Sequence, residues 1–348
     1  MTTFFLNRLA TEPHALAFAG QSTPWPVALA DQTTDPSLDE ALRGHVAAAG
    51  RLLTPVAADL LATTGRPVDL FGFAPNPARL GAAADATASV EGVALTQLGA
   101  LLDLEHLGYS VAQAKPLAVL GHSQGVLAVH MTRAIEAAGS IEAAGTTLDE
   151  ILAVAALIGA AGTRRVRELG LNPKYGEASP MLSVKGATRA QVEALVARVN
   201  NARGPISIAV TNSDNHHVLS GYPEDLAAFA LEAEREHQHQ AKLREQKLHG
   251  GTVFNPTLEY LEVTLPFHSP LMAEAVEQTV SWAGACGFDQ DRTRALAAEV
   301  LLNHVDWNAR VKALFNAADP AKLWIVDLGP GNTLGKLIGN VVQGTGIG

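Results

Sequence analysis

Gly121-His122-Ser123-Gln124-Gly125 follows directly on the apolar run Leu117-Ala118-Val119-Leu120. That spacing is that of a serine pushed out of the end of a buried strand on a sharp turn, with a helix behind it. Glycines on both sides keep the turn free of clashes and admit positive φ where it is needed. The segment Gln124 to Ala138 reads as an amphipathic helix, with Val126, Val129 and Ala134 on its apolar face. Its N-terminus then points at the serine, and the amide of Gln124 can donate to an oxyanion formed on a bound ester or thioester. The chemistry on offer is an acyl-enzyme on Ser123. The same pentapeptide pattern also occurs in plain surface turns, so a partner for the serine has to be found.

A serine at neutral pH needs a base within hydrogen-bond reach. Of the 12 histidines, His268 in Leu265-Pro266-Phe267-His268-Ser269-Pro270 sits in a short punctuated loop between an expected strand and a helix starting near Pro270. Loops of that kind commonly carry catalytic groups. His216-His217 compete for the role, and His122 is disfavoured because its place in the turn aims the ring away from the serine hydroxyl. No second histidine or carboxylate repeats at helical distance from His268, so the spacing lacks metal-site character. A hydrolase of the α/β type would need an acid between serine and histidine. Asp214 and Asp225 fall in that interval, Asp214 in an expected turn and Asp225 at an expected helix start, where capping explains it.

The elements that must position these residues alternate short apolar strands with long helices. A strand is expected at His14 to Ala19, helices at Leu38 to Thr63 and Val93 to Leu107, then the strand before the serine, a helix over Leu148 to Leu169, and a late strand Lys322 to Leu328 ending in Gly329-Pro330-Gly331. This predicts an α/β fold with a parallel sheet covered by helices and a nucleophile elbow. The middle of the chain reads β-α-β-β-α-β: strand Met181 to Gly186, helix Thr188 to Asn200, strands Ile206 to Asn212 and His217 to Gly221, helix Pro223 to Glu236, strand Leu258 to Thr264. That order predicts an inserted ferredoxin-like α+β subdomain over 179–264, with 1–178 and 265–348 forming the large domain. The polar stretch Glu234 to Gly251, with Lys242, Arg244 and Lys247, reads as a solvated helix end and loop, or alternatively as a docking surface.

Composition bounds the rest. With 348 residues, 47% of them hydrophobic, there is material for one large core or a core plus a subdomain. A net charge of −10 with no basic face argues against nucleic acid. The single cysteine, Cys286, can form neither an internal disulfide nor a cysteine metal cluster, which fits a reducing, cytoplasmic setting. The N-terminus lacks a signal pattern, and the longest apolar stretch, Ile151 to Gly162, is too short and too rich in Ala and Gly to cross a bilayer. The glycine-rich ending Gly344 to Gly348 reads as the cut end of a longer polypeptide.

The motifs Gly121 to Gly125, Asn212-Ser213 leading to Leu219-Ser220-Gly221, Phe267-His268-Ser269 and Gly329-Pro330-Gly331 resemble, in this order, the malonyl/acetyl-CoA:acyl-carrier-protein acyltransferase family. With Ala17 to Gln21 and Leu157 to Thr163, the chain most resembles the N-terminal acetyltransferase domain of a bacterial type I fatty acid synthase of the actinobacterial kind. The resemblance implies Ser123 as nucleophile and His268 as base, the histidine oriented by a main-chain carbonyl near Val300 to Asn303. It implies an oxyanion hole from the amides of Gln21 and Gln124, and an acyl pocket involving Ile158, Phe267 and Asn212. Relatives often carry Gly-Gln-Gly where this chain has Gly20-Gln21-Ser22, and malonyl-handling relatives usually have glutamate where it has Val126. They also place an arginine where alignment puts Ile158. An apolar residue there cannot pair a malonyl carboxylate, which favours acetyl by about 3–5 kcal/mol.

The implied substrates are acetyl-CoA as donor and the phosphopantetheine arm of an acyl carrier protein as acceptor, with other fatty acid synthase domains as partners and no permanent cofactor, metal, nucleic acid or membrane. Arg133, Arg164, Arg165 and Lys185 are the cations available for CoA phosphates, though basic residues on helix faces are ordinarily solvated. The acidic net charge predicts weak encounter with an acidic carrier protein unless tethering raises its effective concentration.

Overall fold

The computed structural model describes residues 8–9, 11–21, 23–65, 85–171, 178–199, 205–247, 253–319 and 321–345. Ser22 and Gly346 to Gly348, singled out in the sequence, lie outside these residues, as does the end of the polar stretch from 248.

Three strands build the first sheet: β1 (His14–Phe18), β2 (Ala118–Gly121) and β8 (Trp324–Asp327). Their order is β2-β1-β8 and both pairings are parallel. Every residue of β1 is buried, as the uninterrupted run His14-Ala15-Leu16-Ala17-Phe18 requires of a central parallel strand. In register, Phe18 stands opposite Gly121 and Ala17 opposite Asp327, so all three strands end at one edge. Open parallel sheets bind ligands outside that carboxyl edge, where the strand order switches sides. The elbow serine leaves from this edge.

Helices pack around the sheet: α1 (Trp25–Gln32), α2 (Pro36–Leu52), α3 (Ala57–Thr64), α4 (Ala86–His106), the short α5 (Val111–Ala114), α6 (Val126–Ala138) and α7 (Ile141–Glu168). The helix expected over Leu38 to Thr63 is two helices, broken at Thr54–Val56 by a 3-10 turn around Pro55, whose ring cannot continue the ladder. α7 begins seven residues earlier than expected because Ser140 caps it, its side chain accepting from the Ala143 amide. This helix is long and apolar enough to cross a membrane by length and composition, yet most of that stretch is buried here against its neighbours.

The second sheet takes β3 (Met181–Lys185), α8 (Arg189–Val199), β4 (Ser207–Ser213), β5 (His216–Ser220), α9 (Pro223–Glu245) and β6 (Thr257–Tyr260). Its order is β6-β3-β5-β4-β7, with β7 (Val305–Asp306) joining in parallel beside β4. The other neighbours are antiparallel. Leu182, Val184, Val192, Leu219, Leu226 and Phe229 form an apolar core separate from the main one. α9 continues to Glu245, nine residues past its expected end. Its last turns are held outside the core by side-chain bonds such as Gln240 to Glu236, so the polar stretch to that point is a solvated helix and no loop. The chain closes with α10 (Ala273–Ala285), α11 (Gln290–Leu301), α12 (Trp307–Ala317) and α13 (Thr333–Thr345).

Candidate active site

Ser123 opens a single 3-10 turn, Ser123–Gly125, between β2 and α6, so the helix proper starts at Val126 and not at Gln124. The serine takes φ 53°, a left-handed conformation that costs a side-chain-bearing residue about 1–3 kcal/mol. Two glycines make the turn possible by close approach. A Cβ on Gly20 would come 2.7 Å from the His122 carbonyl oxygen and 2.8 Å from Ser123 Cβ, and one on Gly125 would strike the Phe18 carbonyl oxygen. The loop after β1 and the loop after β2 are thereby pressed together at the sheet edge.

His268 also adopts positive φ, 56°, and is 2% exposed. Its Nδ1 lies 2.8 Å from the main-chain oxygen of Asn303. A carbonyl only accepts, so Nδ1 carries the proton, and in the neutral ring Nε2 is left as acceptor. Ser123 Oγ stands 2.7 Å from that Nε2 and donates to it. Burial above all pushes the His268 pKa down to about 3, with the charges of His122, His304 and Arg310 adding to the fall and the Asn303 bond opposing it. The ring is therefore neutral at ordinary pH, with Nε2 open as the acceptor of the serine proton.

Gln124 is fully buried and its side chain ties the elbow down, donating to the Val90 carbonyl and accepting from the side chain of Gln21. A Cβ on Gly20 would also lie 3.2 Å from the Gln124 amide nitrogen, which puts the main chain of the Gly20–Gln21 turn beside that amide.

The remaining expected residues fall into two groups. Phe267 is buried with its ring centroid 6.4 Å from that of His268, and Ile158 is fully buried in α7. Asn212 meets the elbow: its Oδ1 accepts from His122 Nε2 at 2.7 Å. His122 leans edge-on against Trp307, centroids 5.2 Å apart, and burial pushes its pKa down. Sequence reading missed Trp307 and Arg310, whose guanidinium donates to the Gly121 carbonyl at 2.9 Å. Both come from α12, nearly two hundred residues away, and only their fall on one helical face three residues apart hints at a joint role.

Neither Asp214 nor Asp225 orients His268, whose two ring nitrogens face Ser123 and the Asn303 carbonyl. Asp214 is held by Lys312 at 2.8 Å and by the Asn308 amide at 2.7 Å, while Asp225 lies in the first turn of α9. Each of the four candidate phosphate cations has an acidic partner: Arg133 with Glu136, Arg164 with Glu168, Arg165 with Glu168 and Glu274, Lys185 with Glu259. Lys185 alone among them borders a described cavity, a polar cleft of about 560 Å³ that also meets Asp214, His216, Asn308 and Asn340. No group of three or more metal-ligating side chains occurs among the described residues.

Residues 180–260, the second sheet without β7 together with its two helices, match the family model of the fatty acid synthase central AT domain. The chain is 27% identical over 265 residues to the fatty acid synthase beta subunit TOXC of Cochliobolus carbonum, covering 65% of this chain and 12% of that protein. It is 25% identical over 268 residues to the beta subunit hexB of Dothistroma septosporum, covering 66% and 13%. The chain thus spans about an eighth of the curated relatives it matches. The fold matches the malonyl CoA-acyl carrier protein transacylase of Coxiella burnetii at TM-score 0.63 and 18% identity, over 95% of this chain and 92% of that one. It also matches a type II PKS acyl-carrier protein complex with its malonyl-transacylase, at TM-score 0.66 and 16% identity, over 95% and 93%.

Proposed function

We propose that this chain, which is related to the acyltransferases of fatty acid synthases, moves an acetyl group from acetyl-CoA to the phosphopantetheine thiol of an acyl carrier protein by way of Ser123. The observation that carries the reading is the relay from Ser123 Oγ through the His268 ring to the Asn303 carbonyl. Ser123 attacks the thioester carbonyl while its proton passes to His268 Nε2. The C–S bond breaks, and the departing CoA thiolate takes that proton. The carrier's thiol then gives a proton to the same nitrogen, attacks the acetyl-serine ester, and the proton returns to Ser123 Oγ. The amides of Gln124 and Gln21 are the donors for the oxyanion in both halves.

A carbonyl behind the histidine, in place of the carboxylate of a hydrolase triad, supports transfer over hydrolysis. Ile158 supports acetyl over malonyl, because a carboxylate brought to a wall with no cation would be left unpaired. The reading extends to an inserted ferredoxin-like unit at 179–264 within a large domain of 1–178 and 265–348, supported by the separate core, and to a cytoplasmic enzyme acting beside other synthase domains.

Incubation with radiolabelled acetyl-CoA should leave label on the protein that Ser123→Ala abolishes. An unlabelled wild type, beside a control transferase that labels, would sink the proposal. Measured in the same assay, Ile158→Arg should raise malonyl over acetyl loading by at least about a hundredfold, the low end expected for restoring one buried ion pair; an unchanged ratio removes Ile158 from the specificity argument.

A further inference from the structure

Helices α2, α3, α4 and α7 line a half-open cavity of about 370 Å³ whose wall is built from Val46, Leu53, Leu60, Ala156 and Ala160, with one ionisable side chain among the described residues, Glu91. It lies apart from the acyl pocket proposed at Ile158. Ala156 and Ala160 each lie two residues from Ile158, about 200° around the helix, so the cavity opens on the opposite face of α7.

Glu91 is 9% exposed, and among the described residues no hydrogen bond or ion pair engages its carboxyl group. Burial, with no charged neighbour contributing, pushes its pKa up to about 7. A carboxyl group so placed is costly to ionise unless something pairs with it. Nothing in the elbow, the histidine relay or the Gln124 ties makes use of it. The adjacent Val90 serves the elbow through its carbonyl, which leaves the Glu91 side chain to the cavity.

We propose that this cavity is a binding site for a linear aliphatic ammonium ion, with Glu91 as its counter-ion. The apolar wall fits the alkyl chain, each buried methylene strengthening binding by about fourfold. The volume falls within the ~300–1,000 Å³ ordinary for small-molecule sites. A cation is favoured over a neutral or anionic ligand because Glu91 is the sole charged group among the described residues of the lining.

Calorimetric titration of the full chain at pH 8 with n-hexylamine, n-hexanol and hexanoate decides the matter. The amine should bind saturably and at least about tenfold more tightly than the alcohol, and hexanoate should be weakest. Glu91→Gln should reduce amine binding to the level of the alcohol without changing the alcohol, and Ala156→Phe should abolish both by filling the cavity. The proposal is overturned by equal binding of amine and alcohol, by hexanoate binding best, by an unaffected Glu91→Gln variant, or by no saturable amine binding below about 10 mM. If Glu91→Gln fails to fold, the wild-type ligand series and Ala156→Phe give the same decision.

Discussion

Ser123 and His268 share an unusual property: both are side-chain-bearing residues held at positive φ, and they meet across 145 residues of chain at 2.7 Å. Strain of this kind persists only where surrounding contacts over-determine it. Here those contacts are the Gln124 bonds to Gln21 and Val90, the Arg310 bond to Gly121, and the His122 bond to Asn212. The serine and the histidine could be read from the sequence because their neighbours carry the signal, glycines on one side and Pro-Phe-His-Ser-Pro on the other. The supports could not, because a bond between Gly121 and Arg310 leaves no mark on either local sequence. The bond between Asn212 and His122, 90 residues apart, is equally silent in either local sequence. Asn212→Ala removes the acceptor of a half-buried imidazole N–H, so it should lower stability by about 1 kcal/mol in urea unfolding. It should also slow acetylation of Ser123, since the elbow loses one of its ties.

At the scale of elements, the elbow is a contact between two loops at the carboxyl edge of a parallel sheet. Gly20→Ala places a methyl group against the His122 carbonyl and Ser123 Cβ, a backbone atom and a Cβ that no rotamer change can swing aside. The variant should keep its secondary structure by circular dichroism while labelling of Ser123 falls by at least about tenfold, as a misplacement near 1 Å costs far more than that. Strand positions could be predicted to within one to four residues because buried runs such as His14–Phe18 are continuous and bounded. The lengths of α7 and α9 could not. One is extended by a single capping serine, and the other by exposed side-chain bonds that carry no apolar periodicity. The two-residue strand β7 has no period to detect at all.

Across the whole molecule, the histidines set the response to acid. Burial lowers the pKa of His268 to about 3 and of His216 to about 4, and pushes His122 and His217 down as well. In the unfolded chain each takes up a proton near pH 6.5, whereas in the fold His268 and His216 stay neutral to about pH 3 and about pH 4, and His122 and His217 are also harder to protonate than in the unfolded chain. Stability from these groups is therefore complete above about pH 6.5 and is lost as pH falls toward 3. Urea midpoints should drop steeply between pH 7 and pH 5, and His268→Gln should flatten that slope. A flat wild-type profile would mean the rings are solvated.

Strand β7 has a consequence for how this protein can be taken apart. Val305 and Asp306 pair with Val210 and Thr211, so one edge of the second sheet is closed by chain that follows the histidine loop. An exchange of residues 179–264 between homologues would carry away β4 without its closing partner and expose a row of unpaired backbone groups. The unit that can be grafted is therefore larger than the segment that looks inserted. Its seam runs through α12, the same helix that supplies Trp307 and Arg310 to the elbow.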